Sequence, residues 1–505
     1  MATNRIIPVW RESKTEIPAD SSMRLPKSIW LPAYLLLVTG GTSAVVLSGP
    51  AGTHDPSPTE IIFVQAPVIA AGDLTARFPQ GSRLVHTRIG SRPGAVLNLT
   101  PELFAAADPQ ISLDGTKVLF AGKKDLQAHW QIWEMNLDGS GKRQITQGKG
   151  DCLRPAYLPR EHIVFTLVNG GASPYISQIQ VIKRDGSGVH PISFGPGNFQ
   201  VETVLRDGRI LISASSPLAP GASAGQSRRL YTLRSDGTAL ASFRCDHGQP
   251  SLQTNAEELD DGSVVFVRQS HASAEVAGDL AQIHQGAAHN LLLTAPPAAY
   301  WSPRRLGPDK LIVARRSAGS QNPARRFDLY TFDAAKGQPG TLIYRDATLS
   351  SVQAVPVAAH PAPRWFWSTL KPELAEGYFI CLDSHNSADT PPGRIGNPVA
   401  QVRVITLEPV ANHERPLGEA PVEKDGSFYI AVPSDVPVRF ELLDAAGRVI
   451  KAQRSWIWTR PGEENGCVGC HEDKALAPPN RWPLTLRRFD TPTRLGLKNA
   501  PQAAH

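Results

Sequence analysis

The sequence predicts an all-β chain: a six-bladed β-propeller, then a small β-sandwich, then an irregular C-terminal segment. Three observations predict it. Asp-Gly turns between apolar runs recur through the middle of the chain with a period of about fifty residues. After Pro361 the repeat stops, and alternating strand-like runs continue without it. In residues 456–505 no stretch shows the 3.6-residue apolar period of a long amphipathic helix.

The repeat has two series. The first holds "SLDGTKVLF" at Asp114, "LRDGRILIS" at Asp207, "LDDGSVVFV" at Asp261 and "LGPDKLIVA" at Asp309, with "YLPREHIVFT" filling the slot near Arg160. The second lies further along each repeat: "MNLDGSGKRQIT" at Asp138, "IKRDGSGVHPIS" at Asp185, "LRSDGTALASF" at Asp236 and "FDAAKGQPGTLI" near Lys336. Asp-Gly between alternating runs closes a two-residue hairpin, because glycine accepts positive φ. Two hairpins per repeat give four strands, which is one propeller blade. Residues 107–350 hold five such blades. A sixth is assembled from both ends: "EIIFVQAPV", "RLVHTRIG" and "AVLNLT" supply three strands, and "VQAVPVAAH" supplies the innermost. Closing the ring in this way removes exposed sheet edges. The propeller therefore spans 58–360 with six blades, seven being the alternative count.

The second domain spans 361–455. "AQVRVITLEPV" alternates like a strand. "EKDGSFYIAVPSDVPVRFELLDAAGRVIKAQ" reads as three strands with turns at Asp435 and Ala446-Gly447. The last segment, 456–505, is rich in Trp, Arg and Pro in its first half.

Residues 1–51 read as an N-terminal extension and a signal peptide. An apolar run begins at Ser28, and a start at Met23 places Arg24 and Lys27 ahead of it as a short positive region. The chain is thus expected to be exported to the periplasm. The alternative is an uncleaved anchor that holds it to the membrane, facing the periplasm; no other membrane contact is expected. The 505 residues carry 52 Lys and Arg against 46 Asp and Glu, a net charge of +6. The basic residues are scattered and not interleaved with aromatics, so no nucleic-acid partner is expected. Mild basicity suits docking to an acidic redox partner, and equally an Arg-rich composition.

Only five cysteines occur: Cys152, Cys245, Cys381, Cys467 and Cys470. The stretch "NGCVGCHEDK" contains Cys467-Val-Gly-Cys470-His471, the attachment pattern of a c-type haem. Two thioethers to the ring edge would place His471 at the iron. The expected cofactor is one covalent haem c, with Cys467 and Cys470 as tethers and His471 as iron ligand. No Met follows His471, and the only later His is His505, so the sixth ligand comes from upstream or the position is open. Trp456, Trp458, Arg460 and Arg481 are candidates to line the haem or clamp its propionates. Two alternatives compete. A zinc site would join Cys467 and Cys470 to Cys381 and His385. A disulfide would close the CxxC pair itself. A second metal site, for zinc or a transition metal, is assembled from Cys152, Cys245 and His247 at the channel mouth, where Asp108 and Asp151 occupy similar slots. Against it, the two cysteines are small buried hydrophobes or pair with each other.

Two resemblances add to this reading. "ADPQISLDGTKVLFAG" and "IWEMNLDGSGKRQIT" resemble the repeats of TolB-like propellers, which implies fold only. "SWIWTRPGEENGCVGCHEDKALAPPNRWPLTLRR", read with the propeller before it, resembles the exported proteins related to the α subunit of hydrazine synthase. That resemblance implies a c-type haem oxidoreductase with the propeller packed against the haem segment. In the synthase it also implies a tyrosine close behind the motif as iron ligand, and zinc held by the motif histidine and a propeller cysteine. This sequence departs from the pattern. Residues 472–475 are Glu-Asp-Lys-Ala, no Tyr follows Tyr429, and there is no second CxxCH. The expectation is an exported single-haem protein in electron transfer or small-molecule redox chemistry, a relative of the synthase with chemistry other than hydrazine synthesis. Its partners would be a redox protein and a small-molecule substrate. The alternative is a non-enzymatic envelope scaffold whose CxxCH is a zinc or disulfide staple.

Overall fold

The Asp-Gly turns set the blades. Gly115, Gly208 and Gly262 take φ of 74°, 90° and 79°, the region that glycine enters without a Cβ clash. The computed structural model describes residues 59–497 apart from 71–72, 91–95, 170–174, 216–226, 244–250, 270–275, 288, 296–298, 317–325, 388–393, 409–412, 454 and 470–480. The segment 1–51, Cys245, His247, Cys470 and His471 lie outside the described residues.

Among the described residues, three four-stranded antiparallel sheets start from the strands Ala105–Ile111, Leu252–Glu258 and Tyr300–Gly307 and follow the chain outward. An eight-stranded sheet consists of two such meanders, starting at Asp151–Leu158 and Gly197–Val204. They are joined where Tyr175–Lys183 pairs in parallel with Gly197–Val204. The sixth blade is built from both ends of the propeller. Ser350–Pro356 pairs with Glu60–Ala66, from Ile61↔Pro356 to Ala66↔Ser350. Arg83–Arg88 and Leu97–Asn98 complete that blade. The six inner strands stand around one axis, each in contact with the next, and Ser350–Pro356 closes onto Ala105–Ile111. Phe63, Phe120, Phe266, Phe327 and Trp301 fill the space between blades and are buried.

Residues beyond Pro356 cross the propeller face where the inner hairpins turn. His360 N donates to Leu113 O at 2.9 Å, and Arg364 N to Arg206 O at 3.1 Å. The Arg160 guanidinium lies 3.9 Å from the Trp367 ring centre and that of Arg234 4.8 Å from Phe366.

The second domain is a sandwich of two four-stranded sheets. One orders Glu464–Cys467, Glu376–Cys381, Phe428–Pro433 and Thr493–Arg494. The other orders His413–Pro421, Gln401–Glu408, Val438–Leu443 and Val449–Ala452. Phe379, Val402, Val404, Ile430 and Leu442 form its core. The turns at Asp435 and Ala446-Gly447 fall where the sequence puts them. Among its described residues the C-terminal segment lends the first sheet two short strands, and one of them ends at Cys467.

Candidate functional site

The motif is positioned by that edge strand. Glu464–Cys467 runs parallel to Glu376–Cys381, in the register Tyr378↔Glu464 to Cys381↔Cys467. Leu382 N donates to Cys467 O at 2.9 Å and extends the pairing by one bond. Along the edge strand Asn465 and Cys467 are half-buried while Glu464 and Gly466 are exposed, so Cys467 faces inward. It packs against the sandwich core beside buried Cys381. Past the strand the backbone passes close to Asn386. A Cβ on Gly469 would sit 2.5 Å from Asn386 O, so any larger residue at this position in Cys-Val-Gly-Cys forces the backbone to shift.

Beside Val468 lies a cavity of 190 Å³ walled by Leu382, Asp383, Asn386, Arg394, Arg481 and Pro483. Asp383 organises it. Arg394 donates to Asp383 Oδ2 at 2.9 Å, and Arg481 lies 3.4 Å from the same oxygen. His385 is turned away from sulfur: its Nδ1 is 3.2 Å from Asp383 Oδ1, and its Nε2 accepts from Val399 N at 3.2 Å. The structure therefore brings Cys381 to Cys467, as the zinc alternative required, but commits both His385 nitrogens elsewhere. Tyr378 pairs with Glu464 of the edge strand, and Tyr429 lies one strand further in. It pairs with Ile380 on the opposite face of the sheet from Cys381, and burial, then the nearby Glu464 carboxylate, pushes its phenol up to about 12.

Of the four residues proposed to line the haem, only Arg481 is at this cavity. Trp458 is 1% exposed, stacks edge-on to Phe194 and Phe199 of the propeller, and donates from Nε1 to Gly237 O at 3.2 Å. Arg460 covers the Phe194 ring at 4.4 Å and pairs with Asp435 at 3.3 Å. Trp456 packs on Ile405 and Leu407. Trp458 and Arg460 fasten the sandwich to the propeller. Their spacing from the motif suggested the cofactor; their large apolar surface is used between domains instead.

Of the second constellation the structure describes Cys152 alone; Cys245 and His247 lie outside the described residues. Cys152 starts an inner strand, but its side chain is buried between blades, bonds to Thr146, and its thiol is pushed up to about 11 by burial. Asp151 accepts from Trp130 N at 2.8 Å and lies 3.5 Å from His129 Nδ1. Asp108 does not share the Asp151 slot: it sits mid-strand at φ 55°. Among the described residues no group of three His, Cys, Asp or Glu side chains is arranged to hold a metal.

What sequence reading missed is the channel. Each inner strand breaks register near its middle. Asp108, Arg154, Asn255, Ser302 and Gln353 adopt positive φ there, and Glu202 occupies the sixth bulge. Such bulges re-aim a side chain. All six residues line an axial cavity of 30 Å³, about the space of one or two waters. All but Asn255 bond from blade to blade: Gln353 Nε2 to Asp108 Oδ1 at 2.6 Å, Arg154 N to Asp108 Oδ2 at 2.9 Å, Arg154 Nη2 to Glu202 Oε2 at 2.5 Å, while Asn255 Nδ2 donates to Thr254 Oγ1 of its own strand at 3.2 Å. Gln353 N completes the other side by donating to Ser302 Oγ at 3.0 Å. A polar residue inside each apolar inner strand, recurring at the period of the repeat, was the available signal.

Comparison with known proteins follows the same division. Residues 386–472, which include the CxxCH motif, match the family model for the hydrazine synthase alpha subunit middle domain. The hydrazine synthase subunit alpha of Kuenenia stuttgartiensis is 26% identical over 543 residues, covering 82% of this chain and 66% of the relative. The chain thus spans just under two thirds of that relative's length. The solved Kuenenia stuttgartiensis hydrazine synthase superposes with a TM-score of 0.74 at 22% identity, covering 86% of this chain and 72% of that one. TolB from Acinetobacter baumannii superposes with a TM-score of 0.42 at 13% identity, covering 59% and 66%. Family model, sequence match and shared fold agree: this chain is a relative of the hydrazine synthase alpha subunit.

Proposed function

We propose that the chain is an exported single-haem c-type protein in electron transfer or small-molecule redox chemistry, with Cys467 and Cys470 as tethers and His471 as iron ligand. The observation that carries this reading is the CxxCH motif inside the stretch that matches the hydrazine synthase alpha middle domain. What supports the cofactor among the described residues is a cavity that begins one residue after Cys467: Leu382, Val468 and Pro483 give it apolar wall, and Arg394 and Arg481 would offer guanidinium groups to two propionates. When bound, the haem supplies one-electron redox chemistry. Asp383 holds the two arginines in place, and Gly469 lets the motif backbone lie against Asn386. The reading keeps the chemistry apart from hydrazine synthesis because Glu-Asp-Lys-Ala stands at 472–475, where the resemblance implies a tyrosine.

Expression with a cytochrome c maturation system tests the reading. A red protein with one haem per chain in the pyridine haemochrome assay supports it. Rapid carbon monoxide binding by the reduced protein would mark an open sixth position. A colourless protein holding one zinc would replace this reading with the scaffold.

A further inference from the structure

We infer that Cys381 is an internal disulfide partner for Cys467, and that a Cys381–Cys467 bond competes with haem attachment at the motif. The competition rests on the haem reading; the bond does not. Three observations place the two thiols together. They are Cα partners across a parallel pair, where neighbouring strands lie about 4.8 Å apart, inside the roughly 4.4–6.8 Å span of disulfides. They share a face: Phe379 and Cys381 alternate inward on one strand, Asn465 and Cys467 on the other. Both contribute to the same core cluster. Each is also the last residue of its strand, where the bond from Leu382 N to Cys467 O holds the two strand ends together.

The exposures assign roles. Cys381 is 2% exposed and Cys467 is half-buried. A disulfide oxidant R–S–S–R reaches Cys467 first. Its thiolate attacks one sulfur, releases RS⁻ and forms Cys467–S–S–R. Cys381, already beside it, then attacks the Cys467 sulfur and expels the second RS⁻. Two thiols are oxidised, one R–S–S–R is reduced to two RSH, and the thiol protons pass to these through solvent. A sulfur in that bond has no thiol to offer a vinyl group, so haem attachment requires its reduction first. In an oxidising compartment the pair is a gate on maturation.

The full chain, prepared without haem, tests this by peptide mapping. The protein is reduced, treated with glutathione disulfide, alkylated, and digested without reductant. The expected result is one linked species joining the Cys381 and Cys467 peptides, with Cys470 recovered alkylated. A Cys467–Cys470 link with Cys381 alkylated, or all three recovered as thiols, overturns the proposal. Wild-type protein suffices for this arm, so a poorly folding variant cannot obscure it. The second arm compares wild type with Cys381→Ala during haem maturation under limiting reductant. The variant should carry severalfold more covalent haem. Equal haem in both removes the gate. If neither binds haem, the cofactor reading fails while the map still decides the disulfide.

Discussion

The propeller axis and the motif rim both gather polar residues, but they treat them oppositely. At the axis Asp108, Arg154, Glu202, Ser302 and Gln353 are bonded to a neighbouring blade, and the cavity left over holds only one or two waters. At the rim, Asp383 collects two arginines around 190 Å³ of space, and two thiols stand side by side. The first arrangement closes a ring; the second leaves room for a ligand. A polar cluster is therefore not a site by composition. What matters is whether its hydrogen-bonding capacity is used up internally.

The sharpest break between the two regions is expected from Cys467→Ala. It should abolish normal two-tether haem attachment and leave the fold intact, read by pyridine haemochrome and by circular dichroism. Glu202→Ala should do the reverse. Glu202 is fully buried, accepts from Arg154 at 2.5 Å and from Ser213 Oγ at 2.5 Å. Removing it strands a buried guanidinium, which costs about 3–5 kcal/mol. Chemical denaturation should show that loss with haem content unchanged. A Glu202→Ala protein of wild-type stability would mean that the ring does not close the propeller. Gly469→Ala is smaller and falls between them. Its Cβ meets the Asn386 carbonyl, an overpacking of roughly 1–3 kcal/mol. It should lower haem yield at a modest cost in melting temperature. Unchanged yield would separate the motif from the Asn386 contact.

Blade construction was legible because each Asp-Gly pair is a local instruction: the turn forms from a few neighbouring residues, and the period follows. The sixth blade was legible from the rule against open edges. The sandwich turns at Asp435 and Ala446-Gly447 were legible for the same local reason. The roles of Trp456, Trp458 and Arg460 were not. Proximity to Cys467 in sequence is a weak guide once the chain forms the edge strand, and Trp458 points across the domain boundary to Phe194 and Phe199. Cys381 and Cys467 were linked in the sequence only as zinc ligands; that they are register partners depends on a parallel pairing of strands more than eighty residues apart, which no local pattern encodes. The bulge residues of the channel stayed hidden because a single Asp or Gln in an apolar strand has no local signature until the six are aligned.

The smallest expected effect lies in the turns and has a defined pH window. Asp114 accepts from Ser112 Oγ at 2.5 Å, from Thr116 Oγ1 at 2.8 Å and from Thr116 N at 3.1 Å. These bonds, that from Ser112 first, draw its carboxylate pKa down to about 2. The unfolded value is about 3.9. The folded state therefore binds fewer protons than the unfolded state between the two. Stability rises with pH across that interval, is fully present above about pH 4, and is lost as pH falls through about 2. The group is almost fully solvated, so the contribution is small. Asp114→Asn should flatten the acid branch of the stability profile between about pH 4 and 2. The difference from wild type should shrink to a constant offset below that window, because the neutral Asp114 and Asn then present the same charge. Urea titrations at several pH values read it. A difference that persists unchanged across the window would assign the effect of Asp114 to turn geometry rather than to its charge, and would make the Asp-Gly repeat a purely conformational device.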